Sequence, residues 1–267
     1  MFSIFKSGRK PATETKKRFL ESVDLPAHAN VIETASFKEP TAVEKFQNML
    51  DFAKQILNAT PKTSINGGTH PLIDVVRLLG RRIQAHYLTL PLYYKEEDLP
   101  SKIDARIESL MFSPNVIITS KVEAKTFYEK IVEVENFQKE VCLNRDVVLP
   151  WPWKKNRYVS AITNIGAGRL SKDWKQDENH SLELWLPMGV SWVHAGNHSI
   201  ASGIIQGVGK IKPETVYDIS KTYNYIECDG KNYIRKQDKI ILAPVRNVEL
   251  AAIFEIGRMM QNNRISY

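Results

Sequence analysis

The residues best suited to chemistry lie in one short turn. Gly196, Asn197, His198 and Ser199 follow the apolar run Val190-Ser-Trp-Val-His194 and precede the small-residue run Ile200-Ala-Ser-Gly203. A glycine permits a tight turn with close backbone approach, and Ser199 can cap a helix running through Ile200, Ile204 and Ile205. The free amides and positive dipole at such a helix start suit an anion, phosphate above all. His198 can donate to that anion or move a proton near neutral pH. The bland alternative is a glycine turn with Asn197 and Ser199 as caps and His198 on a backbone carbonyl. The density of polar groups favours a site.

Asp177, Asn179 and His180 come just before a second apolar run, Ser181 to Leu186. Asp177 can fix the tautomer of His180 and support its charged form. Two strands joined through Pro187-Met188-Gly189 run antiparallel, which carries residue 180 toward residues 196 to 198. The chemistry such groups can perform is a metal-independent phosphoryl or phosphodiester hydrolysis. His198 would be the general acid or base, His180 its partner, and Asn197 with the amides around Ser199 would stabilise developing charge. Arg157 and Arg169, the arginines nearest the tryptophan-rich stretch, can each bring a guanidinium from another loop. His180, His194 and His198 are zinc-binding residue types, but their spacing gives no common face, so no metal is expected. No particular cofactor follows from the sequence.

Set between an apolar strand and a small-residue helix, Gly196-Asn197-His198-Ser199 resembles the turn of the ParB and sulfiredoxin-like fold. In that family a glycine, a variable polar residue, His or Arg, and then Arg bind the phosphate groups of a nucleotide. Gly196 matches the glycine, His198 the first basic residue, and Ser199 the position usually held by arginine. Without a guanidinium fork at residue 199, bidentate phosphate binding is lost there. Asn197 replaces the acidic residue or cysteine, so neither the CTPase chemistry of the ParB group nor the cysteine chemistry of sulfiredoxin carries over. The resemblance covers about residues 146–245 and implies a phosphate-binding turn on a small mixed sheet.

The elements that must position these groups change character along the chain. Thr41 and Glu44 form a capping box, followed by Val43, Phe46, Leu50, Ala53 and Leu57 at helical spacing. Pro61 and Asn66-Gly67-Gly68 close that element. A second helix is expected from Pro71, with Leu72, Val75, Val76, Leu79 and Ile83 on its apolar face. Ser120 and Glu123 predict a third, carrying Phe127, Ile131, Val134, Phe137 and Val141. Beyond Pro150 the pattern is β-like, with strands expected at Tyr158 to Thr163, Leu182 to Leu186, Val190 to His194, Val216 to Ile219 and Ile240 to Ala243. Asp229-Gly230 marks a hairpin, and a final helix spans about Val248 to Asn262. The expected class is α+β, a mainly helical amino-terminal half packed on a small mixed β-sheet carboxy-terminal half. The expected regions are a basic, largely irregular tail at 1–40, a helical region at 41–145 and an α+β ligand-binding region at 146–267.

Bulk composition narrows the partners. With 43% hydrophobic and 25% charged residues, and no apolar run near the roughly 18 residues a bilayer requires, no membrane association is expected. The start is apolar only briefly and then basic, unlike a secretory signal, and the two cysteines have no CxxC partner, so a cytoplasmic location is expected. The net charge is +7, yet six basic residues among the first 18 face only Glu14, so most of the excess sits in the tail. Such a tail can hold a polyanion weakly or act as a solubilising arm, the favoured reading. The expected ligand is a phosphate-bearing small molecule or nucleic acid. The rival is a noncatalytic interaction protein that docks a partner through its tryptophan-rich segment and tail. Oligomeric state does not follow from the sequence.

Overall fold

The computed structural model describes residues 38–60, 68–99 and 111–267. The expected basic tail and the turn at Pro61 to Gly67 lie outside the described residues. Helix α1 (Ala42–Ala59) opens with the predicted capping box, the Glu44 amide donating to Thr41 Oγ1 at 3.2 Å and the Thr41 amide to the Glu44 carboxylate at 2.7 Å. Helix α2 (Pro71–Tyr93) starts with proline at its first position, where the missing N–H has no helical acceptor to lose. His70 Nδ1 accepts from the Leu72 amide at 3.1 Å.

The expected third helix is absent, and this corrects the helical reading of 120–141. Ser120 Oγ accepts from the Glu123 amide at 3.1 Å, so the local cap forms, but Ala124 then turns to φ +49° and ends it. The chain folds back on itself through an Ile117–Thr126 bridge and continues into β1 (Val132–Glu133) and β2 (Val141–Cys142). Its apolar residues serve two cores instead of one helix stripe. Phe127 enters the larger core, while Val134, Phe137 and Val141 enter a smaller one.

After β3 (Val147–Leu149) the segment expected as a strand, Tyr158 to Thr163, is helical: α3 spans Lys155–Asn164. Tyr158 and Ala161, three residues apart, are its buried pair, and the β-formers Val159 and Ile162 face outward. Helical burial spacing overrides strand propensity here. The strands β4 (Ser181–Leu186) and β5 (Val190–Ala195), helix α4 (Asn197–Gln206), and the strands β6 (Lys210–Ile211) and β7 (Thr215–Asp218) follow. The hairpin of β8 (Ile226–Cys228) and β9 (Asn232–Arg235) turns at Asp229-Gly230 as predicted, then β10 (Ile241–Pro244) and α5 (Val248–Asn262) close the chain.

The main sheet has the order β1-β7-β4-β5-β3, with β4–β5 and β1–β7 antiparallel and β4–β7 and β3–β5 parallel. The α+β class is therefore as expected. The change of pattern near residue 146 leaves open whether the helices pack on the sheet as one unit; β1 joins β7 and β2 joins β6 across it, and Pro40–Tyr267 forms one compact unit. Both faces of the sheet are buried. Alternation of side chains sends Val147, Leu149, Trp185 and Trp192 toward α1, α2 and α5, and Val148, Leu182, Leu184 and Leu186 toward Ile200 of α4. Gly80 lets α2 lie on β3, since a Cβ there would meet Val147 at 2.5 Å. No described helix is long and apolar enough to cross a membrane.

Two features at one edge organise the rest. The side chain of Asp146 is fully buried (0% exposed) between α2 and the chain end. It accepts from Arg77 Nη2 at 2.8 Å, Arg145 Nε at 3.1 Å, the Cys142 amide at 2.8 Å and the Tyr267 hydroxyl at 2.6 Å. After α5 the chain closes a Schellman turn: the Ile265 amide donates to Met260 O at 2.8 Å and the Arg264 amide to Gln261 O at 3.0 Å. The left-handed position of that turn favours glycine, yet it holds Arg264 at φ +57°, a backbone cost of about 1 kcal/mol.

Burial alone would raise the Asp146 pKa, but the bonds from Arg145, Tyr267, the Cys142 amide and Arg77 outweigh it and hold the carboxyl below its ordinary value. Its contribution to stability is therefore present above the free-chain pKa of about 3.9 and is lost as pH falls through the lower folded value. Asp146→Ala should destabilise by about 3–5 kcal/mol, because two cations lose a buried partner. It should also flatten the acid limb of a stability-against-pH curve measured by urea unfolding. An unchanged acid limb would refute the assignment.

Candidate functional site

The turn between β5 and α4 is set by Gly196. Its φ is +77°, and an added Cβ would lie 2.4 Å from the His180 ring and 3.0 Å from the Asn179 carbonyl. Both conformation and space thus demand glycine. Gly196, not Ser199, is the helix cap, which corrects the expected role of the serine. The first helical bond runs from the Ile200 amide to Gly196 O at 2.9 Å, and the Ser199 hydroxyl donates back to the same carbonyl at 3.0 Å. The amides of Asn197, His198 and Ser199 precede that bond and have no acceptor within the helix.

The neighbouring side chains divide into those that hold the turn and those that face a pocket. Asn197 Oδ1 accepts from the Trp151 amide at 2.7 Å, fastening the segment before α3 to the start of α4. His180 is buried beside Trp174, whose indole Nε1 donates to Ser199 O at 2.7 Å. His180 Nδ1 accepts from the Asp177 amide at 2.9 Å, and Nε2 lies 2.6 Å from Ser199 Oγ. Burial lowers the His180 pKa against the opposing pull of the Asp177 charge. The neutral ring therefore carries its proton on Nε2, and the chain of donation runs from His180 to Ser199 to Gly196 O. That direction makes Ser199 a link in the turn's scaffold and leaves His180 no nitrogen facing a ligand.

Asp177 Oδ1 lies 3.1 Å from His180 Nδ1, but that nitrogen accepts from the Asp177 amide, so the amide and not the carboxylate fixes the tautomer; the carboxylate is more than half exposed and accepts from the Asn179 amide at 2.9 Å. His198 is arranged differently. Its Nε2 accepts from the Lys154 amide at 3.2 Å, so Nδ1 bears the proton and is the donor. Burial, and next the charge of Arg157, lower its pKa. No hydrogen bond joins His198 to His180. Arg169 is turned to α3, where its guanidinium donates to Ile162 O and to Ile165 O at 2.9 Å, capping the helix end.

The helix start opens into a pocket of about 700 Å³ lined by Trp153, Arg157, Asn179, His194 and the turn residues 196–199. The exposed Arg157, His198, Trp153 and the three residues whose amides start the helix all line it, with Glu178 as the one acidic residue of the lining, a combination suited to an anion carried on a ring-bearing molecule. Among the described residues no three His, Cys, Asp or Glu side chains gather as a metal site needs. The other four tryptophans, Trp151, Trp174, Trp185 and Trp192, are core residues.

One pair escaped the sequence reading. Glu183 is buried in the middle of β4, where it accepts from the Trp185 indole at 2.5 Å and lies 3.2 Å from His194 Nε2 on the neighbouring strand. The signal was legible, since a lone carboxylate in Leu182-Glu-Leu-Trp-Leu186 requires a partner if the strand is buried.

Removing the Ser199 hydroxyl strands the buried His180 donor, so Ser199→Ala should cost about 1–3 kcal/mol in urea unfolding. The folded pKa values of both His180 and His198 lie below the free-chain value of about 6.5. The unfolded chain takes up protons first, so stability is intact above that value and falls as pH drops from it through the folded values. His180→Gln combined with His198→Gln should weaken this loss, and an unaltered pH dependence in the double variant would contradict it.

No curated protein and no solved structure matches the chain. Residues 31–267 match the family described as a family of unknown function (DUF6710), and the chain belongs to that family.

Proposed function

We infer that the protein binds a phosphate-bearing ligand, a nucleotide or a nucleic-acid end, at Gly196 to Ser199. The observation that carries this reading is the start of α4, where three residues whose amides have no helical acceptor line a pocket shared with Arg157. Amides and helix dipole recognise the anion, Arg157 adds a guanidinium, and Trp153 offers a face to a base. The strand–glycine–helix order supports a ParB/sulfiredoxin-like reading in which Arg157, from α3, takes the part of the arginine absent at Ser199. Asn179 and His198 border the ligand, whereas Asp177 and His180 hold the turn. This favours binding over hydrolysis, because the partner assigned to His198 in the catalytic scheme is spent on Ser199. If the ligand is turned over, the His198 Nδ1 proton is the one available to a leaving group.

A ligand that binds only the folded state stabilises it, by about 2.7 kcal/mol at a hundred times its Kd. A thermal-shift panel of nucleotides, phosphorylated metabolites and short oligonucleotides should therefore yield at least one compound that raises Tm by several degrees. The shift should be reduced in Arg157→Gln and in His198→Ala. A panel with no response, or responses unchanged in both variants, would overturn the reading.

A further inference from the structure

A second concavity, of about 660 Å³, shares no lining residue with the first and is bordered by cations from separate parts of the chain. Arg77 comes from α2, Lys139 and Arg145 from either side of β2, Lys210 from β6, and Arg264 from the turn after α5. Glu140 is the one acidic side chain lining it. Asp146, beneath Arg77 and Arg145, is shared between their two guanidiniums. Asp74 also pairs with Arg77 at 2.8 Å and Glu140 lies 3.8 Å from Lys210, so the five cations exceed the three carboxylates Asp74, Glu140 and Asp146 by two, or by one if a main-chain carboxyl at Tyr267 is charged. The 23-residue helix α2 also starts here, adding its positive end. With Nδ1 of His70 accepting from the Leu72 amide, its Nε2 is the donor nitrogen.

Two observations indicate that the cluster is built for a ligand. Arg77 and Arg145 are anchored by the buried carboxylate, so their orientation is set before anything binds. Arg264 occupies a left-handed backbone position that favours glycine, and its side chain has no partner among the described residues. The Arg264 side chain is exposed, so it is free to meet a ligand, and glycine in its place would suit the turn.

We propose that this pocket is an anion site for a ligand presenting two or more linked phosphate groups. Guanidinium forks suit phosphate oxygens, and cations spread over several segments match more than one phosphate. The shared chemistry is an oligophosphate, whether the polyphosphate of a small molecule or the backbone of a nucleic acid. The site is independent of the pocket at α4.

The test is calorimetric titration of the full chain with inorganic pyrophosphate and tripolyphosphate at low salt. Affinity should fall with rising salt, as release of counterions requires. Arg264→Gly should weaken binding about tenfold or more while leaving Tm unchanged or raised, because glycine suits the turn; that combination separates ligand recognition from folding. Lys139→Gln should weaken binding in the same sense, and Arg157→Gln should leave it intact. Absence of binding by the wild type, or wild-type affinity in both Arg264→Gly and Lys139→Gln, overturns the proposal. Loss of binding only in Arg157→Gln overturns it too, by placing the anion at α4 and so upholding the function inferred there. In a positive result, competition by a short single-stranded oligonucleotide that depends on Arg264 identifies the nucleic-acid backbone as the source. Competition by nucleoside triphosphates alone identifies a small molecule.

Discussion

A carboxylate without access to water can remain charged only if its surroundings replace that water, and Asp146 shows how many parts of this chain are recruited to do so. Two guanidiniums, a backbone amide and a phenol converge on it. The groups come from α2, from β2 and its link to β3, and from Tyr267. Arg77 ties the node to the helix that packs on β3, and Tyr267 brings the chain end back to the sheet edge. Removing any one donor leaves the others less favourable, so the node holds these segments as a unit. It also holds Arg77 and Arg145, two of the five cations of the second pocket.

A comparable economy operates at the β5–α4 turn, with neutral groups in place of charges. Gly196 allows the backbone to approach His180, and the ring then reaches Ser199, which returns its proton to the Gly196 carbonyl. Asn197 fastens the strand-to-helix segment at Trp151 to the same turn. The outcome is a helix start whose Asn197 and Ser199 side chains are spent on the protein, while three of its amides have no helical acceptor. Preorganised donors of this sort interact with an anion at little reorganisation cost. The anion readings proposed for the two pockets therefore rest on different physics, amide dipoles and one arginine in the first and clustered formal charge in the second.

Local signals were strong wherever one core and one period governed a segment. The capping box at Thr41 and Glu44, the Pro71 helix start, the Asp229-Gly230 hairpin and the last helix all sit where pattern and turn chemistry put them. The signals misled where one segment served two environments. Phe127 and Val141 share a helical spacing but enter different cores. Tyr158 and Ala161 look β-like beside Val159 and Ile162, yet only the helix buries the first pair and exposes the second.

The same distinction separates what the chain's order of residues determined from what its folding decided. Sequence alone determined the glycine turn, its following helix and the concentration of polar groups around them, because these depend on neighbours a few residues apart. It could not tell that His180 spends both ring nitrogens on the protein, that Arg169 caps α3, or that Arg157 rather than Arg169 borders the pocket. Nor could it bring Arg77, Arg145 and Arg264 to one concavity. Those outcomes depend on long-range register and on competition among donors for the same acceptors, and such competition is settled only when distant segments are packed together.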